Sequence, residues 1–165
     1  MTEFKPLDPT ACGLFLVAVV SLPLAIANLV EGQAGPSPMF FTVIGLMIIL
    51  VAVLAYRAES NFGFTVFALV GTAVTLVGFG IGCWEDIAFA LVFFLAILWS
   101  LNIGTPKALT IICFTTALVF LTVGLAGIIG GDYWHWLIGV AALLNFLFNI
   151  YLSFALAMDG KVKVF

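Results

Sequence analysis

Charge is what this chain lacks. Only 8% of its 165 residues are charged, 5 Lys or Arg against 8 Asp or Glu, and it has a single His. A soluble domain is about 25% charged. There are too few polar side chains here to coat a soluble surface, so lipid must serve as the solvent. The net charge of −3, with no basic stripe, excludes nucleic acid as a partner. Cysteine is also scarce. Cys12, Cys83 and Cys113 are far apart and lack CxxC spacing, which with one histidine argues against a zinc site or a disulfide framework. They read as small apolar fillers. Neither a metal nor a cofactor is expected. With no His/Glu cluster, no paired carboxylates and no Ser–His pair of plausible geometry, the chain is not read as an enzyme.

What the chain has is apolar length: 65% of its residues are hydrophobic. A helix needs about 20 apolar residues to cross the hydrocarbon core. Runs at 11–30, 39–56, 62–81, 87–103, 108–129 and 134–158 meet that need. They are separated by turn chemistry at Gly32 to Pro38, Arg57 to Asn61, Gly82 to Asp86, Gly104 to Lys107, and Gly130 to Asp132. The expectation is an all-α membrane protein, one six-helix transmembrane bundle over residues 1–165. Trp84, Tyr133, Trp134 and Trp136 fall at one set of ends and Tyr56 and Trp99 at the other, as an interfacial aromatic belt requires. Lys5, the first apolar run, Pro23 and Ala25-Ile26-Ala27 also fit a cleavable signal peptide. Glu3 and Asp8 stand where a basic leader belongs, and cleavage would leave five spans, so the first run is kept as a helix.

The few positive charges are one-sided. Lys5, Arg57, Lys107, Lys161 and Lys163 lie before the first run, in even-numbered loops, or after the last run. The other loops hold Glu31, Glu85, Asp86 and Asp132. By the positive-inside rule both termini face the cytoplasm, with the protein in the cell (inner or plasma) membrane. A small protein that does little except cross a membrane six times is expected to conduct or carry something.

No Lys, Arg, Asp or Glu is expected deep within any span. Intramembrane ionisable groups commonly mark proton relays and voltage sensors, so a carboxylate-based proton-coupled pump is disfavoured. Selectivity then falls to neutral donors, backbone dipoles and pore width. The four outer acids are read as solvated loop charges. His135, between two tryptophans, is placed where it could sense external pH, although an ordinary interfacial role is the simpler reading.

Neutral small and polar residues follow helical spacing. Ala68, Gly71, Thr75, Gly78 and Gly82 mark one face of the third run. Ala18, Ser21, Ala25 and Asn28 mark the first, Thr42, Gly45 and Ala52 the second, and Thr115, Thr122 and Ala126 the fifth. Close helix packing is the usual use of such faces. On the sixth run Ala142, Asn145, Asn149 and Ser153 share a face. An unpartnered amide in hydrocarbon costs several kcal/mol. The two asparagines therefore either bond to each other and to facing helices or present donors to a solute.

Three short segments resemble one family. Asp8-Pro9-Thr10-Ala11-Cys12-Gly13-Leu14 resembles the Asn-Pro-Ala-Pro-Leu-Gly-Leu signature of the acetate/succinate transporter family. Tyr56, then Phe62-Gly63-Phe64-Thr65 with Phe67 and Gly71, is similar to the stretch that opens that family's third helix. Gly104-Thr105-Pro106-Lys107 resembles its Gly-Thr-Leu-Lys before the fifth helix. Order, spacing and helix number agree over roughly the first 120 residues. The resemblance implies a compact six-helix protomer that assembles as a homo-hexamer. Each protomer would hold its own path for acetate, related small monocarboxylates or succinate. It places Asp8, Pro9, Gly13 and Leu14 at the cytoplasmic side of that path. The family's hydrophobic waist, a Phe, a Tyr and a Leu, falls on Val17, Val70 and Val119 in an ungapped match. The chain departs from the pattern at Asp8, where the family has Asn, and at Ala11, where it has a second Pro.

A ring of valines resists a bare anion, because desolvating a carboxylate is expensive. Passage is expected either as the protonated acid or as an anion whose shell is partly replaced by Ser21, Asn28, Thr65, Thr122, Asn145 and Asn149. A urea or short-amide channel of the six-helix hexameric type is the alternative, because neutral polar linings suit urea equally well. A purely structural subunit would show packing faces without a continuous polar path.

Overall fold

The computed structural model describes residues 9–158 and 161–164. Asp8 and Lys5 lie outside the described residues. Six helices follow one another: α1 (Thr10–Leu29), α2 (Pro38–Arg57), α3 (Asn61–Gly78), α4 (Cys83–Ile103), α5 (Lys107–Ile129) and α6 (Tyr133–Ala157). All six are long and apolar enough to cross a membrane, and the fold is that of a multi-pass membrane protein.

Local chemistry sets the starts and stops. Ser37 Oγ accepts from Phe40 N at 3.2 Å and Pro38 occupies the first turn of α2, where a missing N–H costs nothing. Ser60 Oγ caps α3 in the same way through Gly63 N at 3.2 Å. Gly104, at φ 68°, ends α4 in the left-handed conformation that glycine adopts freely.

The boundaries match the apolar runs to within a residue except between α3 and α4. There α3 stops at Gly78, Gly80 turns the chain at φ 79°, and α4 has already begun at Cys83. Glu85 and Asp86, expected in a loop, therefore sit in the first turn of α4. Acids at a helix N-terminus are favoured by the aligned peptide dipoles, so two charges that look like loop residues extend the helix instead.

The helices pack in a ring that follows chain order. α2 packs on α3, α4 on α5 and α1 on α6 most extensively, while α1–α2, α3–α4 and α5–α6 join these pairs. Without a hydrophobic force between helices in lipid, close van der Waals packing must supply the adhesion. Glycines allow it. A Cβ on Gly71 would stand 2.9 Å from the carbonyl oxygen of Gly45, and one on Gly78 2.6 Å from that of Pro38. A Cβ on Gly124 would stand 2.8 Å from the Cys83 carbonyl oxygen in the α4–α5 pair, and one on Gly139 would strike the Leu29 side chain in the α1–α6 pair. Gly82, expected on the small-residue face of α3, instead caps α4.

The outward faces are apolar. Leu91, Leu95, Leu98 and Leu101 form an exposed stripe on α4, and Leu46 and Leu50 are exposed on α2. The inward side chains include Leu14, Ile48, Phe93 and Leu152, which are almost fully buried. At one end lie Arg57, Lys107, Lys161 and Lys163, where Tyr151 Oη donates to the Lys163 carbonyl at 2.6 Å. This is called the inner end below. The opposite, outer end carries exposed Glu31, Glu85 and Asp132.

Candidate permeation path

Two cavities lie on the axis of the ring, one toward each end. The inner one has a volume of about 150 Å³ and the outer one about 120 Å³. An apolar cavity near 150 Å³ is large enough for a benzene molecule, so each can hold a small organic solute. Thr10, Ser60 and Thr105 bring hydroxyls to the inner cavity from three different segment ends. Leu14, Phe62 and Phe67 form apolar wall. All six helices contribute to the outer cavity: Ser21, Phe41, Val74, Asp86, Val119 and Asn145 come from α1 to α6 in turn. Val17, Val70 and Thr116 line both cavities and mark the divide between them. Beside it Phe93 of the inner cavity stacks on Phe120 of the outer one, with ring centroids 5.8 Å apart.

The inner wall is built from local sequence. Gly13 leaves room for the Phe67 ring, which any Cβ at that position would strike. Phe62 meets Trp99 edge-on at 5.1 Å, tying α3 to α4. In the α4–α5 turn Thr105 N donates to the Ser100 carbonyl at 3.2 Å. The hydroxyls of Thr105 and Thr110 both bond to that of fully buried Ser100, Thr110 at 2.7 Å. Thr105 is thereby fixed at the cavity wall.

Beside both cavities lies a hydroxyl–amide network on three helices. Asn145 Nδ2 donates to Thr116 Oγ1 at 2.7 Å and Thr115 Oγ1 at 3.2 Å. Its Oδ1 lies 3.0 Å from the Ser21 hydroxyl and accepts from Asn149 Nδ2 at 2.7 Å. Asn149 Nδ2 also donates to the Asn145 backbone carbonyl at 2.8 Å. Both asparagines are at most 2% exposed, and α1, α5 and α6 are held together through Asn145. Asn149 Oδ1 is buried, has no partner, and belongs to a residue lining the inner cavity.

Asp86 overturns the expectation of four solvated outer charges, although it lies in the first turn of α4 and not deep within the span. It is only 5% exposed, lines the outer cavity, and its Oδ1 has no hydrogen-bond partner. Its backbone N–H closes the first turn of α4 onto the Gly82 carbonyl at 3.2 Å. That turn faces the carboxyl inward, whereas neighbouring Glu85 stays exposed.

The residues singled out from sequence divide as follows. Asp8 lies outside the described residues, Pro9 caps α1, and Gly13 backs Phe67. Leu14 and Asn149 line the inner cavity, and Ser21, Val119 and Asn145 the outer. Val17 and Val70 stand at the divide, with Thr116 rather than Val119 as their α5 partner there. Thr65 and Thr122 bond to carbonyls of their own helices and line neither cavity. Asn28 Oδ1 pairs with His135 Nδ1 at 3.0 Å at the outer rim. Trp134, expected in the aromatic belt, is buried, while Trp84 and Trp136 are exposed. Thr116 and Asp86 gave no signal of their own: the first is one of several threonines on α5, the second one of several acids near the outer ends.

Fold and site thus define a membrane-spanning six-helix ring with cavities on its axis. Among solved structures, the chain is similar to the bacterial acetate channel SatP, with a TM-score of 0.83 and 15% sequence identity over 96% of this chain and 99% of that one. At that identity the likeness is one of fold. No family model and no curated protein matches the sequence.

Proposed function

We propose that this protein is a channel of the acetate/succinate transporter type, passing acetate and related small monocarboxylates through each protomer. The observation that carries this reading is the pair of axial cavities meeting at Val17, Val70 and Thr116, in a fold shared with an acetate channel. The divide acts as the hydrophobic waist, and Ser21, Thr116, Asn145 and Asn149 supply neutral contacts on either side of it. Val119 lines the outer approach. In this reading the whole chain is one transmembrane unit of the cell membrane. The basic end faces the cytoplasm, so the Asp8–Leu14 segment and the inner cavity open to the cell interior. Homo-hexameric assembly and succinate as a further substrate rest on the family resemblance. The role is not enzymatic.

A urea or short-amide channel is the second reading, favoured by the amide and hydroxyl groups of the central network. Osmotic swelling of proteoliposomes separates the two. Faster swelling in ammonium acetate than in urea supports the carboxylate reading. The reverse order contradicts it.

A further inference from the structure

Among the described residues two buried oxygens on the axis have no hydrogen-bond partner, one in each cavity: Asp86 Oδ1 in the outer cavity, an acceptor while its carboxyl is ionised, and Asn149 Oδ1 in the inner. The direction of the Asn149 amide is forced. Its Nδ2 stands 2.8 Å from the backbone carbonyl of Asn145, an atom that only accepts, so the other end of the amide must be oxygen. Between the two acceptors sits Thr116. Its Oγ1 accepts from Asn145 Nδ2, which leaves its own proton for something in the cavities. A buried acceptor left unsatisfied costs about 1–3 kcal/mol. The sequence along the axis is therefore acceptor, donor, acceptor.

A carboxylate ion carries acceptors only, and it would approach the ionised Asp86 carboxylate as acceptor against acceptor. A protonated carboxylic acid has one O–H donor and one carbonyl acceptor, which complements the axis at every station. Building on the channel reading above, we propose that the species admitted is the neutral acid, selected by Asp86 and Asn149. The acid O–H donates to Asp86 Oδ1 in the outer cavity. At the divide its carbonyl accepts from the Thr116 hydroxyl, and in the inner cavity its O–H donates to Asn149 Oδ1. The O–H bond stays intact throughout, and no proton passes to the protein. Among the described residues no second charge lines the outer cavity. The lining contributed by α1 (Val17, Val20, Ser21, Leu24), α2 (Phe41) and α3 (Val70, Val74, Val77) is uncharged, as are Thr116, Val119, Phe120 and Val123 of α5 and Asn145 of α6. On α4 itself Glu85 is exposed and Cys83 packs on Gly127.

The test uses the full chain in proteoliposomes and planar bilayers, reading radiolabelled acetate flux above that of protein-free membranes together with current under an acetate gradient. For an acid of pKa near that of a Glu side chain, the neutral fraction grows roughly 80-fold between about pH 7 and about pH 5. The wild-type flux at limiting concentration follows that fraction and carries no acetate current. Asp86→Asn, whose amide can also donate to an anion, gains an acetate current near neutral pH and loses most of the pH dependence. Thr116→Val lowers flux without altering its pH dependence. An acetate current through the wild type at about pH 7, or a pH profile unmoved in Asp86→Asn, overturns the proposal and leaves the channel reading standing. Flux no greater than that of protein-free membranes at either pH removes the channel reading itself, and the proposal with it.

Discussion

Asn145 is the residue on which the centre of the bundle turns. Its amide satisfies hydroxyls on α5, accepts from Asn149, and lies beside Ser21 of α1. Replacing it with Ala leaves several buried polar groups without partners at once, each loss being worth about 1–3 kcal/mol. Hydrogen bonds between membrane helices average nearer 0.6 kcal/mol, because the separated helices also find partners. The expected outcome for Asn145→Ala is therefore a loss of about 2 kcal/mol, read as a lowered thermal midpoint in detergent. An unchanged midpoint would mean that the network does not join the helices. An asparagine stands out in an apolar sequence because hydrocarbon tolerates no unpaired amide. A threonine does not, because it can bond to its own helix, as Thr65 and Thr122 do. That is why Thr116 was invisible at the divide while Asn145 and Asn149 were conspicuous.

At the scale of the element, three close helix pairs give the ring its walls. The α2–α3 pair is the tightest in glycine: side chains at Gly45, Gly71 and Gly78 would each collide with backbone of the facing helix. Gly71→Leu should force the pair apart. Overpacking a dense interface costs typically 1–3 kcal/mol, and here backbone rather than a yielding side chain is in the way. Gly35→Ala, with nothing within 4 Å of the added methyl, serves as the control and leaves stability unchanged. The check is fluorescence-detected chromatography after a heat step. Equal survival of the two variants would contradict close α2–α3 packing. The six elements were legible because each is an apolar run of membrane length between turn residues. The start of α4 was not: Glu85 and Asp86 read as loop charges, and only the fold shows that the first turn buries one and exposes the other. The inward faces of α1 and α6 were legible from Ala18, Ser21 and Ala25 and from Ala142, Asn145, Asn149 and Ser153, which are buried. In contrast α4 carries no such stripe, and with lipid and core both apolar the usual amphipathic contrast is missing there.

At the scale of the molecule, charge and cavity follow the same direction. Arg57, Lys107, Lys161 and Lys163 crowd the end toward which the inner cavity lies, and the exposed acids Glu31, Glu85 and Asp132 sit at the other. The ring closes α1 against α6, so the axis is enclosed by all six helices rather than lying at a seam. Along it the two cavities meet only where Val17, Val70 and Thr116 line both. A single bulky side chain there should close the whole route while leaving the outer surface untouched. The direct measurement is radiolabelled acetate uptake by proteoliposomes carrying the wild-type chain or Val17→Trp, each shown to be folded by its chromatographic profile. The account predicts wild-type uptake above that of protein-free liposomes and a fall to their level with Val17→Trp. Full uptake through the folded variant would contradict a path between these cavities.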